Sequence, residues 1–224
     1  IRIGSLNARL KAHPGRERDL WAVLSGRCFE QGVAEVSVSG DQLLASLDYP
    51  KYFELSETPL PANRAGIFER LVQDRLIAVA GNETFSITNL GAILFARGLS
   101  HFPTLSRKAM RVVKYRGLSR TETEHEKLIQ GGYASSFEAI TEYVNDLCPS
   151  NEVLERALRR EMRMYPRRAI RELVANALIH QDFSISGTGP MVEVFDDRLE
   201  ISNPGLPLIE PLRFIDHSPR SRNE

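Results

Sequence analysis

Between Arg64 and Leu76 the apolar positions Ile67, Phe68, Leu71, Val72 and Leu76 recur at three- and four-residue intervals. That spacing predicts an amphipathic helix over Arg64 to Asp74. The period then shortens. Leu76 to Ala80 and Thr84 to Ile87 are β-prone runs around Gly81-Asn82-Glu83, which reads as a hairpin. Thr88 or Asn89 can cap a helix from Leu90 to about Ala96, with Gly98 ending it. Met110 to Tyr115 reads as a strand stopped by Gly117, and Ser135-x-x-Glu138 as a capping box. The helix behind that box would bury Phe137, Ile140, Tyr143, Val144 and Leu147. Pro166 sets the entry to a helix from Arg167 to His180, with Ile170, Leu173, Val174, Ala177 and Leu178 as its buried stripe. Met191 to Phe195 and Arg198 to Ser202 then form two strands around a tight Asp196-Asp197 turn.

Other stretches are less regular. A helix starts near Asp41-Gln42-Leu43-Leu44, with Asp41 or Gly40 as its cap, and Tyr49-Pro50 with Thr58-Pro59-Leu60-Pro61 breaks the chain into a loop. Leu6 to Arg18, with His13-Pro14-Gly15, has a linker's composition, and packing resumes near Asp19-Leu20-Trp21. Asn151 to Met164 is dense in charge and fits either a helix or an extended arm. The chain opens on Ile1 and closes on Pro219 to Glu224 without a terminal element, so the expectation is a fragment of a longer protein. The order of elements is that of an α+β fold. It divides into residues 1–18, 19–105 and 106–224.

Charge and cysteine usage narrow the chemistry. Lysine plus arginine and aspartate plus glutamate both number 29, so no whole-chain basic footprint points to nucleic acid. Cys28 and Cys148 are far apart, and the five histidines are scattered, which argues against a zinc site. No apolar run of membrane-spanning length and no secretory signal occurs, so the expected compartment is the cytoplasm, with no membrane partner. A Gly-x-x-x-x-Gly-Lys-Ser/Thr loop is missing, and with it a P-loop motor.

Two constellations remain. A helix followed by a hairpin is the essential part of a winged helix, and Arg64 and Arg70 would be its contacts to duplex DNA. Glu69 and Asp74 offset those arginines and the hairpin carries Glu83 without lysine or arginine, so packing or homodimerisation competes with DNA reading. On the Arg167–His180 helix, Glu172, Asn176 and His180 fall at i, i+4 and i+8, in one row. An asparagine carbonyl is a hard oxygen ligand suited to magnesium, and a glutamate one turn away can orient or deprotonate water.

The segments "YPRRAIRELVANALIHQDFS", "VEVFDDRLEISNPGLP" and "SPRSRNE" resemble the C-terminal region of RecG-related bacterial transcriptional regulators. "ITNLGAILFARG", "VVKYRG" and "GGYASSFEAITEYV" follow the order expected of that family, and "IRIGS" resembles the last strand of its Schlafen-type AlbA domain. The resemblance implies a winged-helix-like middle and a GHKL (Bergerat)-like α/β sandwich, truncated at its C-terminal end. By that likeness Asn176 is the magnesium ligand, Glu172 the water-activating base, and Asn203 stands where an aspartate reads the adenine amino group. Gly205 keeps the glycine of that box. An asparagine accepts without charge assistance, so nucleotide binding is expected to be weakened. The implied function is a DNA-binding regulator with a degenerate nucleotide domain, with ATP and magnesium as cofactors of the full-length protein and none expected in the fragment. An ATP-hydrolysing enzyme and a non-binding dimerisation scaffold are the alternatives.

Overall fold

The computed structural model describes residues 2–3, 6–7, 29–155 and 158–206; side chains are described for 29–150 and 164–206. Readings placed on 8–28 and 207–224, including Asp19-Leu20-Trp21 and the closing Pro219 to Glu224, lie outside the described residues. The architecture is mixed α/β. At the start, β1 (Arg2–Ile3) pairs antiparallel with β2 (Leu6–Asn7).

A first layered unit follows. A 3-10 turn at Phe29–Gln31 leads into β3 (Val33–Ser39), α1 (Gly40–Ser46), α2 (Tyr49–Leu55), α3 (Arg64–Gln73), β4 (Ile77–Gly81), β5 (Thr84–Thr88) and α4 (Asn89–Phe95). The three strands pair antiparallel in the order β3-β5-β4. Local chemistry explains the helix starts. Ser39 caps α1 in a reciprocal box with Gln42, one residue before the expected cap. Asn63 Oδ1 accepts from Gly66 N at 2.7 Å and Thr88 Oγ1 from Gly91 N at 3.0 Å, each cap contributing about 1 kcal/mol. The Tyr49-Pro50 break is corrected: Pro50 sits in the first turn of α2, where a missing N–H costs nothing.

The second unit is a four-stranded sheet, ordered β11-β10-β6-β7, with two helices on one face. Its elements are β6 (Met110–Tyr115), β7 (Thr123–Ile129), α5 (Tyr133–Leu147), β8 (Ser150–Glu155), β9 (Leu158–Arg163), α6 (Arg167–Ile179), β10 (Met191–Val194) and β11 (Leu199–Ser202). β6 and β10 run parallel and the other neighbours antiparallel. The charged stretch left open between helix and arm is the hairpin β8–β9. The capping box at Ser135 is a second correction. α5 begins earlier, capped at Gly132, because that glycine lies so close to α4 that a Cβ would meet the Leu94 carbonyl oxygen at 2.4 Å.

One apolar cluster joins both units. Leu43, Leu71 and Ile87 of the first and Val112, Ile140, Val174 and Val192 of the second belong to it, with Leu99, Phe102 and Leu105 fully buried between. Across the sheet, Val113, Tyr115 and Phe195 form a smaller cluster. No helix among the described residues is long and apolar enough to cross a membrane.

Candidate functional site

α6 carries the candidate row. Ile170, Val174, Ala177 and Leu178 are buried, but Leu173, expected in that stripe, is 49% exposed. At 100° per residue Leu173 stands a quarter-turn away from the centre of the other four, toward the row itself. Glu172 and His180 are exposed and Asn176 is half-buried. The His180 backbone N–H donates to the Asn176 carbonyl at 2.9 Å and closes the last turn.

Beyond α6 the chain doubles back. Asp182 N donates to Pro204 O at 2.7 Å, tying the end of α6 to the segment after β11. Asn203 and Gly205 flank that proline; both are exposed, and Gly205 has φ 122°, a conformation few other residues adopt. The structure therefore brings the Asn176–His180 end of α6 to the Asn203–Gly205 segment. Glu172 lies one turn back, roughly 6 Å along the axis from Asn176.

The loop after α6 is held by residues that the sequence pattern passes over. Lys108 is buried, and its Nζ donates to the Ile185 carbonyl at 2.5 Å and lies 5.8 Å from the Phe183 ring centroid. Burial pushes its amine below the ordinary value of 10.5, and the charge of Asp182 opposes that shift. The Lys108 carbonyl accepts from Tyr133 Oη at 2.5 Å, and Gln181 Nε2 donates to the same Tyr133 oxygen at 3.1 Å. Burial pushes the Tyr133 hydroxyl up. Asp182 Oδ1 accepts from both the backbone N and the Oγ of Ser184. Gly189 closes the loop against the Arg107 and Ala109 carbonyls, where a Cβ would stand 2.8 and 2.9 Å away.

On the opposite sheet face, Glu193 is buried beneath the Arg120 guanidinium, which binds it with two nitrogens at 2.6 and 2.8 Å. Those bonds hold the Glu193 carboxyl below its ordinary value despite burial. Arg120 also reaches Glu200, and Arg198 covers Phe195 at 3.8 Å from its ring centroid.

Two hollows border α6 and the loop after it. A cavity of about 810 Å³ is lined by Phe29, Val72, Ile77, Val79, Leu90 and Phe183 with Arg75 and Asp182, and one of about 410 Å³ lies among α4, α5 and α6. Neither is lined by Glu172, Asn176, His180, Asn203 or Gly205. Arg64 and Arg70, the candidate DNA contacts, sit apart on α3. Arg64 pairs with Asp41 at 2.6 Å and is exposed. Arg70 donates to Tyr52 Oη at 3.0 Å and pairs with Asp74 at 3.2 Å, while the Tyr52 hydroxyl also donates to Asp74. Its guanidinium thus fastens α3 to α2.

Residues 187–224 are similar to a family described as "Putative ATP-dependent DNA helicase recG C-terminal"; β10, β11 and the Asn203–Gly205 segment fall within the match. No curated protein matches the chain. The crystal structure of the DIP2311 protein from Corynebacterium diphtheriae shares the fold, with a TM-score of 0.57 and 16% identity over 91% of this chain. The chain spans 39% of that protein's length.

Proposed function

We propose that the chain is part of a RecG-related bacterial regulator whose second unit holds a nucleotide in a degenerate ATPase-type site. The observation that carries this reading is the bond between Asp182 N and Pro204 O, which sets the end of α6 beside the Asn203–Gly205 segment. In this reading Asn203 accepts from an adenine amino group, and Gly205 lets the backbone approach the ring. The Asn176 side-chain oxygen faces the phosphates. One amide and one carboxylate fit magnesium only weakly, so the ion would enter with the phosphates, neutralising their charge. Isothermal titration of the full-length protein with ATP and magnesium tests this. Binding that Asn176→Ala abolishes supports the site; no binding, with function intact in that variant, favours a scaffold instead.

Hydrolysis is the second reading, and the exposure of Glu172, free of ion pairs among the described residues, favours it. Steady phosphate release lost in Glu172→Ala would make the protein an enzyme; binding without release leaves it a sensor.

The DNA contact belongs to the winged-helix-like reading of α3 with the β4–β5 hairpin. Arg70 is occupied inside the unit, so Arg64 is the residue left to meet a phosphate, at the loss of its Asp41 pair. Arg64→Ala should weaken binding of random duplex and lower its salt dependence. An unchanged salt slope removes α3 from the interface.

A further inference from the structure

The cavity of about 810 Å³ lies where the two units meet: Val72, Ile77, Val79 and Leu90 come from the first, and Phe183 from the loop after α6. Phe29 stacks on Phe183, with ring centroids 4.8 Å apart and planes 10° from parallel. Both rings stand on fixed backbone. The Phe29 carbonyl accepts from Asn89 Nδ2 at 2.9 Å, and the Lys108 amine holds the carbonyl of Ile185, two residues beyond Phe183. A prebuilt, mostly apolar hollow of this size at a junction between units is the usual form of a small-molecule site.

Three charged side chains line it: Arg75, Glu30 and Asp182. Asp182 is engaged, since its Oδ1 accepts from the Ser184 N–H and hydroxyl and its charge acts on Lys108. Arg75 and Glu30 are not. Neither side chain forms a hydrogen bond or ion pair among the described residues, and no ion pair joins the two. The Arg75 backbone is nonetheless fixed. Its φ is 59°, in the left-handed region, and the Thr88 hydroxyl donates to its carbonyl at 2.8 Å. A cation and an anion left uncompensated beside one apolar hollow complement a ligand that carries both charges itself.

We propose that this cavity binds a small zwitterion with a flat apolar body, the chemistry of an aromatic amino acid. Its carboxylate meets the Arg75 guanidinium, its ammonium meets Glu30, and its ring lies against the Phe29–Phe183 wall. The site stands apart from Asn203 and Gly205, which do not line the cavity, and it does not depend on nucleotide binding there.

Isothermal titration of the full chain tests the charges one at a time, with L-tryptophan, tryptamine, indole-3-acetate and indole as titrants. These share one ring system and carry, in turn, both charges, the positive one, the negative one and none. Tryptophan should bind with Kd on the order of 1 mM or below, and each of the others at least about fivefold more weakly. Arg75→Gln should erase the advantage of tryptophan over tryptamine, and Glu30→Gln its advantage over indole-3-acetate. Ala78→Trp puts a ring into the hollow and should abolish binding, with circular dichroism showing an intact fold. No binding of tryptophan up to about 10 mM, indole bound as tightly as tryptophan, charge variants that leave the ranking unchanged, or binding that survives Ala78→Trp would each overturn the proposal.

Discussion

In the first unit no charged side chain among the described residues is fully buried: Arg64 pairs with Asp41, Lys51 with Glu54, Arg97 lies near Asp48, and the Arg70–Asp74 pair is half-buried. In the second, Lys108 and Glu193 are taken into the interior, where each is tied to a loop or strand distant in sequence. The sheet edges differ in the same direction. β7, exposed along most of its length, is armoured by Glu124 with Lys114, Glu126 with Arg111, and Lys127 over the Tyr143 ring at 4.6 Å. β4 carries no such groups. A buried charge costs free energy unless it is fully bonded, so it marks a place where position matters more than stability. A bare edge costs solubility unless it is paired. The second unit therefore commits its polar groups to fixing the loop after α6, and the first leaves the β4 edge without charge.

The comparison holds only if both units share one interior, and that is the point at which it breaks most easily. Phe102→Ala removes a fully buried ring between them and should cost about 3–5 kcal/mol. Urea unfolding followed by fluorescence and by far-ultraviolet dichroism should remain one coincident transition; two separated transitions would mean two cores.

Lys108→Met probes the buried amine. It leaves the Ile185 carbonyl without its donor, and amide exchange at residues 182–186 should quicken about tenfold, or ~1.4 kcal/mol of local opening. The lysine also has a signature in pH. Its folded pKa is depressed, so the unfolded chain binds the proton more tightly, and stability should rise as pH climbs through the folded value toward 10.5. That rise should vanish in Lys108→Met; an identical profile would place the amine in solvent.

Glu193→Gln has the opposite dependence. The wild-type carboxyl is depressed, so its contribution is present above the ordinary value of 4.5 and lost as pH falls through the folded one. Because Arg120 is largely exposed, the substitution should cost only about 1 kcal/mol at neutral pH and flatten the acid limb of the melting curve. Arg64→Ala should change stability least, within about 0.5 kcal/mol by thermal melting, since its pair with Asp41 is open to solvent. A larger loss would give the first unit an internal charge of its own.

Much of the fold could be read from the sequence wherever one face is dry. The apolar period of α3, the β4–β5 hairpin and the strands around Asp196-Asp197 all come through, because burial on one side imposes a repeat. β7 does not, since Thr123 to Leu128 is wet on both faces and has no alternation to detect. Ser135 misled for a different reason: a local capping motif was outweighed by the approach of Gly132 to α4, a tertiary contact. The candidate row on α6 follows from helical geometry, but its meeting with Asn203 and Gly205 depends on a backbone bond across the intervening hairpin. Lys108 could not be seen at all, because its partner Ile185 arrives from a loop much later in the chain. The commitment of Arg70 to Tyr52 and Asp74 was hidden for the same reason.

The parallel pairing of β6 with β10 sets the order of events in folding. β6 and β7 are neighbours in sequence and can close quickly, whereas Met191, which pairs with Arg111, follows α5, the β8–β9 hairpin and α6 along the chain. Pairings of such long range are slow, because the entropy of closing the loop is lost before any contact is gained. Until β10 arrives, the inner edge of β6 is open with Met110, Val112 and Val113 beside it, all of them buried in the finished molecule. A ribosome-bound chain that has not yet emitted residue 191 therefore leaves the inner edge of β6 unpaired, the kind of transiently open strand that favours aggregation.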